Sequence, residues 1–155
     1  MSFQMRFAAL GGEIPAAAKP GSGFFLPAIT TGSLVFMSGQ IPRNGEEILY
    51  QGRLGETLTV EQGYAAARSC GLNLLVQLQN ICGGDLDRVS RMIKLTVFVN
   101  SAPSFIDTSA VANGASELFM EVFGEAGRHT RSAIGMATLP RGVSVEVEAV
   151  AELKP

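Results

Sequence analysis

The chain has 155 residues, of which 46% are hydrophobic and 17% charged, and its formal net charge is −2. This composition is typical of one globular domain with a hydrophobic core, and it excludes a disordered chain. Twelve lysines and arginines stand against fourteen aspartates and glutamates. That balance argues weakly against a nucleic-acid partner, since phosphate binding usually needs a basic surface.

The chain carries no sign of a membrane span, a signal peptide or a metal site. No hydrophobic run approaches the ~18 residues that a membrane span requires, so we expect a cytoplasmic protein with no membrane partner. Cys70 and Cys82 fall on one predicted helix, about 18 Å apart, which is too far for a disulfide. With a single histidine the chain offers no plausible zinc set. We expect no metal and no cofactor.

In chain order, the first half predicts an arm, two strands and a helix. Residues 1–23 are predicted to be an irregular N-terminal arm of a single domain 1–155, because Gly, Ala and Pro are frequent in 10–23. A short strand follows at 33–42, and a brief strand and loop at 46–56. Thr59 and Gln62 then form a capping box, and helical apolar spacing continues until Gly83-Gly84.

The second half predicts a strand at 91–100, a helix at 108–123 that ends before Gly124, and a closing hairpin over 131–151. The order β-β-α-β-α-β-β predicts an α+β fold, in which two helices cover one face of a mostly antiparallel sheet. The strands are apolar on more than one side, so the other sheet face needs a partner. An oligomer is the natural solution.

Parity along the closing hairpin predicts which side chains meet. Val143, Val145 and Val147 share one face of the last strand, while Ser144, Glu146 and Glu148 share the other. With an even-numbered loop through Leu139–Gly142, Arg131 and Ala133 of the preceding strand join the two glutamates. Two interpretations remain open. The group is either a surface ion pair, or a pocket in which Arg131 holds a carboxylate and a glutamate handles a proton.

Four segments, at the right spacing and in the right order, carry a family resemblance. They are "SGQIP" (38–42), "IKLTVFV" (93–99), "RSAIGMATLPRG" (131–142) and "VEVEAVA" (145–151). Together they resemble the Rid family, also called YjgF-type or L-PSP endoribonuclease-like proteins, over residues 25–151. The segment 111–133 and the arm resemble a longer branch, distinct from the best-studied imine deaminases. The resemblance implies a chorismate-mutase-like α+β fold, assembled as a homotrimer with clefts between subunits.

The resemblance also implies roles for individual residues. In the deaminase members an arginine grips the substrate carboxylate and a glutamate positions the attacking water; these match Arg131 and Glu146, the expected catalytic pair. The expected substrate-binding positions are Phe25, Ser38, Gly39, Asn113 and Ala133. Phe25 stands where the deaminases carry tyrosine and Ala133 where they carry cysteine, so each lacks a hydrogen-bonding group.

Three functions follow from this interpretation. The favoured one is hydrolysis of a small enamine or imine acid such as 2-aminoacrylate to a 2-keto acid and ammonia. The alternative is a non-catalytic trimer that binds 2-keto acids. An endoribonuclease is less favoured, because RNA cleavage usually needs a positive groove and an acid–base couple. His129 is expected to be a loop or interface residue, and Glu148 a structural or interface group.

Overall fold

The computed structural model describes residues 1–18 and 23–155. Its α-helices are α1 (Phe3–Ala9), α2 (Val60–Ile81) and α3 (Thr108–Phe123). Its strands are β1 (Ala28–Thr31), β2 (Leu34–Gln40), β3 (Arg43–Asn44), β4 (Glu47–Ile48), β5 (Val89–Asn100), β6 (Thr130–Met136) and β7 (Val145–Leu153). Among the described residues, no helix combines the length and the apolar character that a membrane crossing requires.

The predicted capping box at the start of α2 is confirmed. The backbone N–H of Gln62 donates to Thr59 Oγ1 at 3.2 Å, and the backbone N–H of Thr59 donates to Gln62 Oε1 at 2.9 Å. Both bonds satisfy donors that a helix N-terminus otherwise leaves unpaired. The other predicted helix ends where expected, since Gly124 follows α3 with a φ of +60° that favours glycine.

The sheet differs from the prediction in one strand and in one kind of pairing, since the strand predicted within 46–56 lies outside it as β4. In the described part of the chain, the main sheet runs in the order β1-β2-β7-β5-β6, and β3 with β4 forms a separate ribbon. Only the β5–β6 pair in this sheet is parallel. The α+β class is therefore confirmed, with a mixed sheet. The prediction missed β1, a four-residue strand at the sheet edge.

The predicted closing hairpin is wrong. β6 does not pair with β7; it pairs in parallel with β5, and β7 lies on the other side of β5, between β5 and β2. Residues 137–144 connect the two strands. Strands two positions apart are about 10 Å apart, a distance that a connection of this length spans easily. A Pro-Gly turn between two apolar strands is therefore not enough to specify a hairpin.

The N-terminal arm is also more regular than predicted. Residues Phe3–Ala9 form α1, whose Phe7 side chain is 1% exposed, and a 3-10 turn follows at Gly11–Glu13. The Asp87 carboxylate accepts the backbone N–H of Phe3 at 2.7 Å, which caps this short helix from a distant part of the chain. Residues 19–22 of the predicted arm lie outside the described residues.

Both long helices cover the same sheet face and approach each other closely. α2 contacts β2 and β7, and α3 contacts β5 and β6. The two helices touch at Gly114, where an added Cβ would lie 2.0 Å from the backbone oxygen of Tyr64. The core between helices and sheet includes Leu95 and Val97, both fully buried. This packing leaves one side of α3 free to stand over the edge strand β6.

Candidate functional site

The register of the sheet places Arg131 and Glu146 on opposite faces. Arg131 is directly paired with Leu95, a residue of the helix-facing core, whereas Glu146 is paired with Phe98. Paired residues share a face and side chains alternate along β5, so Leu95 and Phe98 point in opposite directions. The predicted pocket that gathers both groups within one chain is therefore wrong. Its error follows from the wrong hairpin.

On the helix side, Arg131 lies against a polar stripe of α3. Its Nη1 donates to Asn113 Oδ1 at 2.9 Å and to Ser116 Oγ at 3.0 Å, and its Nη2 donates to Ser109 Oγ at 2.7 Å. Positions 109, 113 and 116 fall on one face of a helix, because they are separated by four and three residues. We call these four residues the arginine cluster. The structure thus brings the predicted residues Arg131 and Asn113 together.

The guanidinium in this cluster keeps a free edge and an uncompensated charge. Its three acceptors are an amide and two hydroxyls, and no carboxylate of the described residues forms an ion pair with it. A guanidinium has five N–H donors, and the described residues accept three hydrogen bonds from this one. None of them accepts from Nε–H, and Nη2 donates only one bond, so the Nε–Nη2 edge, which can bind a carboxylate in bidentate fashion, has donors left for a ligand. The arrangement is that of an anion site.

Ala133 lies beside the arginine cluster. It pairs with Val97 in the parallel ladder and therefore shares the helix-facing side with Arg131. Its backbone oxygen accepts a hydrogen bond from Thr108 Oγ1 at 3.2 Å, which ties the start of α3 to β6. Its side chain packs against the hydrophobic core.

Three members of this region were not predicted as site residues. Ser109 and Ser116 hold the guanidinium, and the Nε2 of His129 lies 2.9 Å from Ser116 Oγ. The signals were present in the sequence. The two serines flank Asn113 at helical spacing, and His129 has the same parity as Arg131, two residues earlier. His129 does lie in the loop before β6, as predicted, but the prediction did not foresee its contact with Ser116.

On the opposite face, Glu146 lies directly over Gly39. A Cβ added to Gly39 would be 2.1 Å from Glu146 Oε1, so a larger residue there would displace the carboxylate from this position. Ser38 precedes it, and its hydroxyl donates to the backbone oxygen of Leu26 at 2.6 Å. The structure thus brings together the predicted residues Ser38, Gly39 and Glu146. Burial, and to a smaller extent the charge of Glu148, raises the pKa of Glu146.

A groove of about 500 Å³ lies on the same sheet face, and its lining includes Ser38 and Glu148 but not Glu146 itself. Phe36 and Lys94 also line it. We call it the outer-face groove. It combines apolar walls with one ammonium and one carboxylate, which is a common composition for a small-molecule site.

Phe25 is the one predicted site residue that lies neither at the arginine cluster nor at the Glu146 carboxylate. It precedes β1 and is 65% exposed. Its neighbours Phe24 and Leu26 are 94% and 63% exposed, so the whole turn presents apolar side chains to solvent. Exposure of adjacent large apolar residues is unusual on a monomer surface.

Comparison with known proteins identifies the family. Residues 4–153 match the family model described as "YjgF/chorismate_mutase-like, putative endoribonuclease". Protein TCP17 of Trypanosoma cruzi is 50% identical over 145 residues, covering 93% of this chain and 89% of that protein. The crystal structure of Atu1372, a protein of unknown function from Agrobacterium tumefaciens, superposes with a TM-score of 0.87 at 38% identity, covering 98% and 92% of the two chains.

A more distant relative carries a functional name. The Escherichia coli protein named "Putative reactive intermediate deaminase TdcF" is 33% identical over 147 residues, covering 89% of this chain and 94% of that protein. Its crystal structure with bound serine superposes with a TM-score of 0.58 at 27% identity and covers 92% and 94% of the two chains. With the family model spanning nearly the whole sequence, this chain belongs to the YjgF/chorismate mutase-like family.

Proposed function

We propose that this protein hydrolyses small enamine or imine acids such as 2-aminoacrylate, in clefts between the subunits of a homotrimer. The observation that carries the proposal is the Arg131 guanidinium, held by neutral acceptors and open along its Nε–Nη2 edge. A carboxylate matches that edge in both charge and geometry. The deaminase name of the E. coli relative, and the serine bound in its crystal structure, suit a ligand with a small amino-acid skeleton.

A site that uses both Arg131 and Glu146 requires two subunits, because the two side chains lie on opposite faces of the sheet. The outer face also carries apolar side chains that a neighbouring subunit would cover. Ile29 is 58% exposed, Phe36 45% and Ile134 43%. In a closed ring of identical subunits, the arginine cluster of one protomer meets the outer-face groove of the next.

The chemistry then needs one water molecule and one base. Enamine acids tautomerise to iminium acids, whose C2 carbon is electrophilic. The water oxygen forms a bond to C2 while Glu146 takes the water proton, giving a tetrahedral carbinolamine. The same proton passes to the amine nitrogen, Glu146 then takes the hydroxyl proton as the C–N bond breaks and the 2-keto acid forms, and ammonia leaves with that second proton as ammonium. General base assistance of this kind contributes about 10²- to 10⁴-fold in rate.

The environment of Glu146 suits this role. Burial and Glu148 raise its pKa, which brings the carboxylate closer to the pH at which it works as a base. The Arg131 of the neighbouring subunit would bring the substrate carboxylate into the same cleft. Binding the carboxylate in a fixed position places C2 next to the base, which supplies most of the remaining rate enhancement.

The test is release of 2-keto acid from freshly generated 2-aminoacrylate, followed by reduction of the pyruvate formed. We expect the purified protein to accelerate release, and Arg131→Ala to lower kcat/KM by about 100-fold or more, the loss expected for a charge-assisted bidentate pair. Arg128→Ala is the matched control, because Arg128 is exposed and paired with Glu125. Equal release with and without the wild-type protein would refute the hydrolase.

A second candidate is a non-catalytic trimer that binds 2-keto acids. It is favoured by Phe25 and Ala133, which lack the hydroxyl and the thiol that the deaminases of the family carry. Calorimetry with pyruvate separates the two functions, since binding without turnover of 2-aminoacrylate supports the second. Glu146 and Glu148 on the outer face disfavour RNA in the same cleft, because two carboxylates repel a phosphate backbone.

A further inference from the structure

A directed chain of hydrogen bonds runs behind the Arg131 guanidinium. The backbone oxygen of Gly127 lies 2.6 Å from His129 Nδ1, and Nε2 of the same ring lies 2.9 Å from Ser116 Oγ. A carbonyl only accepts, so Nδ1 carries the proton and Nε2 of the neutral ring is the acceptor. Ser116 therefore donates its hydroxyl hydrogen to His129, while its oxygen accepts from Arg131 Nη1 at 3.0 Å.

The imidazole itself is held firmly in this position. Its ring packs edge-on against Phe119, with centroids 6.1 Å apart and an interplanar angle of 88°. Gly127 lies so close to α3 that an added Cβ would be 2.2 Å from the Phe119 backbone oxygen. Its carbonyl can reach the ring only because this residue has no side chain. Burial first, and the Arg131 charge in addition, lower the pKa of His129, so the ring is neutral at pH 7.

This chain of hydrogen bonds reaches the guanidinium at Nη1, which is not part of the Nε–Nη2 edge. Ser116 and Asn113 use both hydrogens of Nη1, whereas the unused donors are Nε–H and one hydrogen of Nη2. In a planar guanidinium, Nη1 does not belong to the Nε–Nη2 edge. A carboxylate bound at that edge would touch neither Ser116 nor His129. They can therefore contribute only by orienting Arg131. Both ring nitrogens of His129 already form hydrogen bonds, to Ser116 and to Gly127.

We propose that Ser116 and His129 are a positioning pair, which orients the Arg131 guanidinium so that its Nε–Nη2 edge receives the carboxylate of a small 2-keto or imino acid. This inference rests on the proposed function for the identity of the ligand. Without the pair, the long arginine side chain would lose conformational entropy when the ligand binds. With the pair, the side chain is already ordered in the free protein, so binding costs less entropy and the affinity is higher.

The first experiment reads the pair directly, without any ligand. His129 is the only histidine in the chain, so long-range ¹H–¹⁵N correlation of its imidazole is unambiguous in the intact 155-residue chain. We expect the neutral Nδ1–H tautomer at pH 7, and a displaced Nε2 resonance in Ser116→Ala. Arg131→Lys should also shift Nε2, because it alters the donor to Ser116. An Nε2–H tautomer, a charged ring at pH 7, or an Nε2 resonance insensitive to both substitutions would overturn the proposal.

The second experiment measures pyruvate binding by calorimetry. Ser116→Ala and His129→Leu should weaken binding about 5- to 30-fold, since each removes two partly buried hydrogen bonds from the chain that runs from Gly127 to Arg131. His129→Gln should recover most of the loss, because its amide oxygen can accept from Ser116. Ser69→Ala, a half-buried serine on α2, is the matched control. Wild-type affinity in both Ser116→Ala and His129→Leu would sink the positioning role.

The two experiments separate failure of this inference from failure of the proposed function. If wild-type protein binds pyruvate but does not hydrolyse 2-aminoacrylate, the hydrolase is refuted and the positioning pair is still tested by affinity. If wild-type protein binds no pyruvate, the ligand class is wrong and the inference fails with it, even when the tautomer is as expected. If turnover occurs, Ser116→Ala should raise KM far more than it lowers kcat, because the pair never touches the reacting atoms.

Discussion

The arginine cluster and the Glu146 carboxylate are held in very different ways. Arg131 makes three hydrogen bonds of 2.7–3.0 Å to side chains of α3. Glu146 accepts no hydrogen bond from a described residue; a glycine makes space for it, and burial raises its pKa. The difference separates two tasks. A binding group gains from being fixed before the ligand arrives, whereas a proton acceptor must keep its oxygens available to water.

The largest expected effect concerns where the two groups meet. We expect Arg131→Ala and Glu146→Gln to be inactive alone but partly active when co-refolded in equal amounts. In a ring whose clefts each join two subunits, about one quarter of the clefts then contain both wild-type groups. Turnover of 2-aminoacrylate by the mixture, compared with each variant alone, is the measurement. A mixture as inactive as its components would show that the site does not combine Arg131 and Glu146 from different chains.

The next effect tests the space over Gly39. In Gly39→Ala the new methyl group would occupy the position of Glu146 Oε1, and the flexible glutamate must turn away. We expect kcat for 2-aminoacrylate to fall about 10- to 100-fold as the base is displaced, while pyruvate binding at Arg131 changes little.

Gly12→Ala is the control for that substitution, because an added Cβ there has nothing within 4 Å. Both residues have a backbone conformation that alanine adopts without strain. If Gly39→Ala kept the wild-type kcat, Glu146 could not be the base, or it would not need the orientation seen over Gly39.

The smallest expected effect is on stability. Because the pKa of Glu146 is raised in the folded protein, its ionised form is disfavoured there relative to the unfolded chain. At pH 7, well above the unfolded value, the raised folded pKa therefore lowers the free energy of unfolding; below the unfolded value, near 4, the penalty disappears. Glu146→Gln should raise Tm at pH 7 by at most a few degrees and leave it nearly unchanged at about pH 4.

Thermal unfolding at the two pH values measures this, with Glu47→Gln on the short strand β4 as the exposed control. A lower Tm of Glu146→Gln at pH 7 would mean that the carboxylate has a stabilising partner. Glu146 would then be held in place by an interaction, as Arg131 is, and the difference between the two regions would not exist.

Particular elements show how far the sequence alone could be interpreted. Local signals predicted α2 and α3 with correct ends, because capping residues and terminal glycines act within a few positions. The alternation along β7 was also correct, with Val145 and Val147 buried and Glu148 exposed. α1 was missed although Ser2 caps it locally, because seven residues give little periodic signal; the Asp87 carboxylate adds a second acceptor from a distant part of the chain.

The candidate site was predicted in its residues but not in its assembly. Arg131 with Asn113, and Glu146 with Gly39, meet as two groups. The step that joined the groups assumed that strands adjacent in sequence are adjacent in the sheet. Sequential strands often are, but not always. The serines and His129 around Arg131 escaped notice because polar residues at helical spacing usually indicate a solvated face.

By itself the sequence determined the helices, the alternation of the last strand and the identity of the guanidinium and carboxylate, since each depends on residues close together along the chain. Only the tertiary structure decided that β5 separates β6 from β7, which puts Arg131 against α3 and Glu146 on the other face. Strand order depends on contacts between distant segments. The loop 137–144 could connect β6 and β7 either as neighbours or across β5. Burial of Leu95 and Val97 of β5 beneath the helices favours the order in which β5 lies between them.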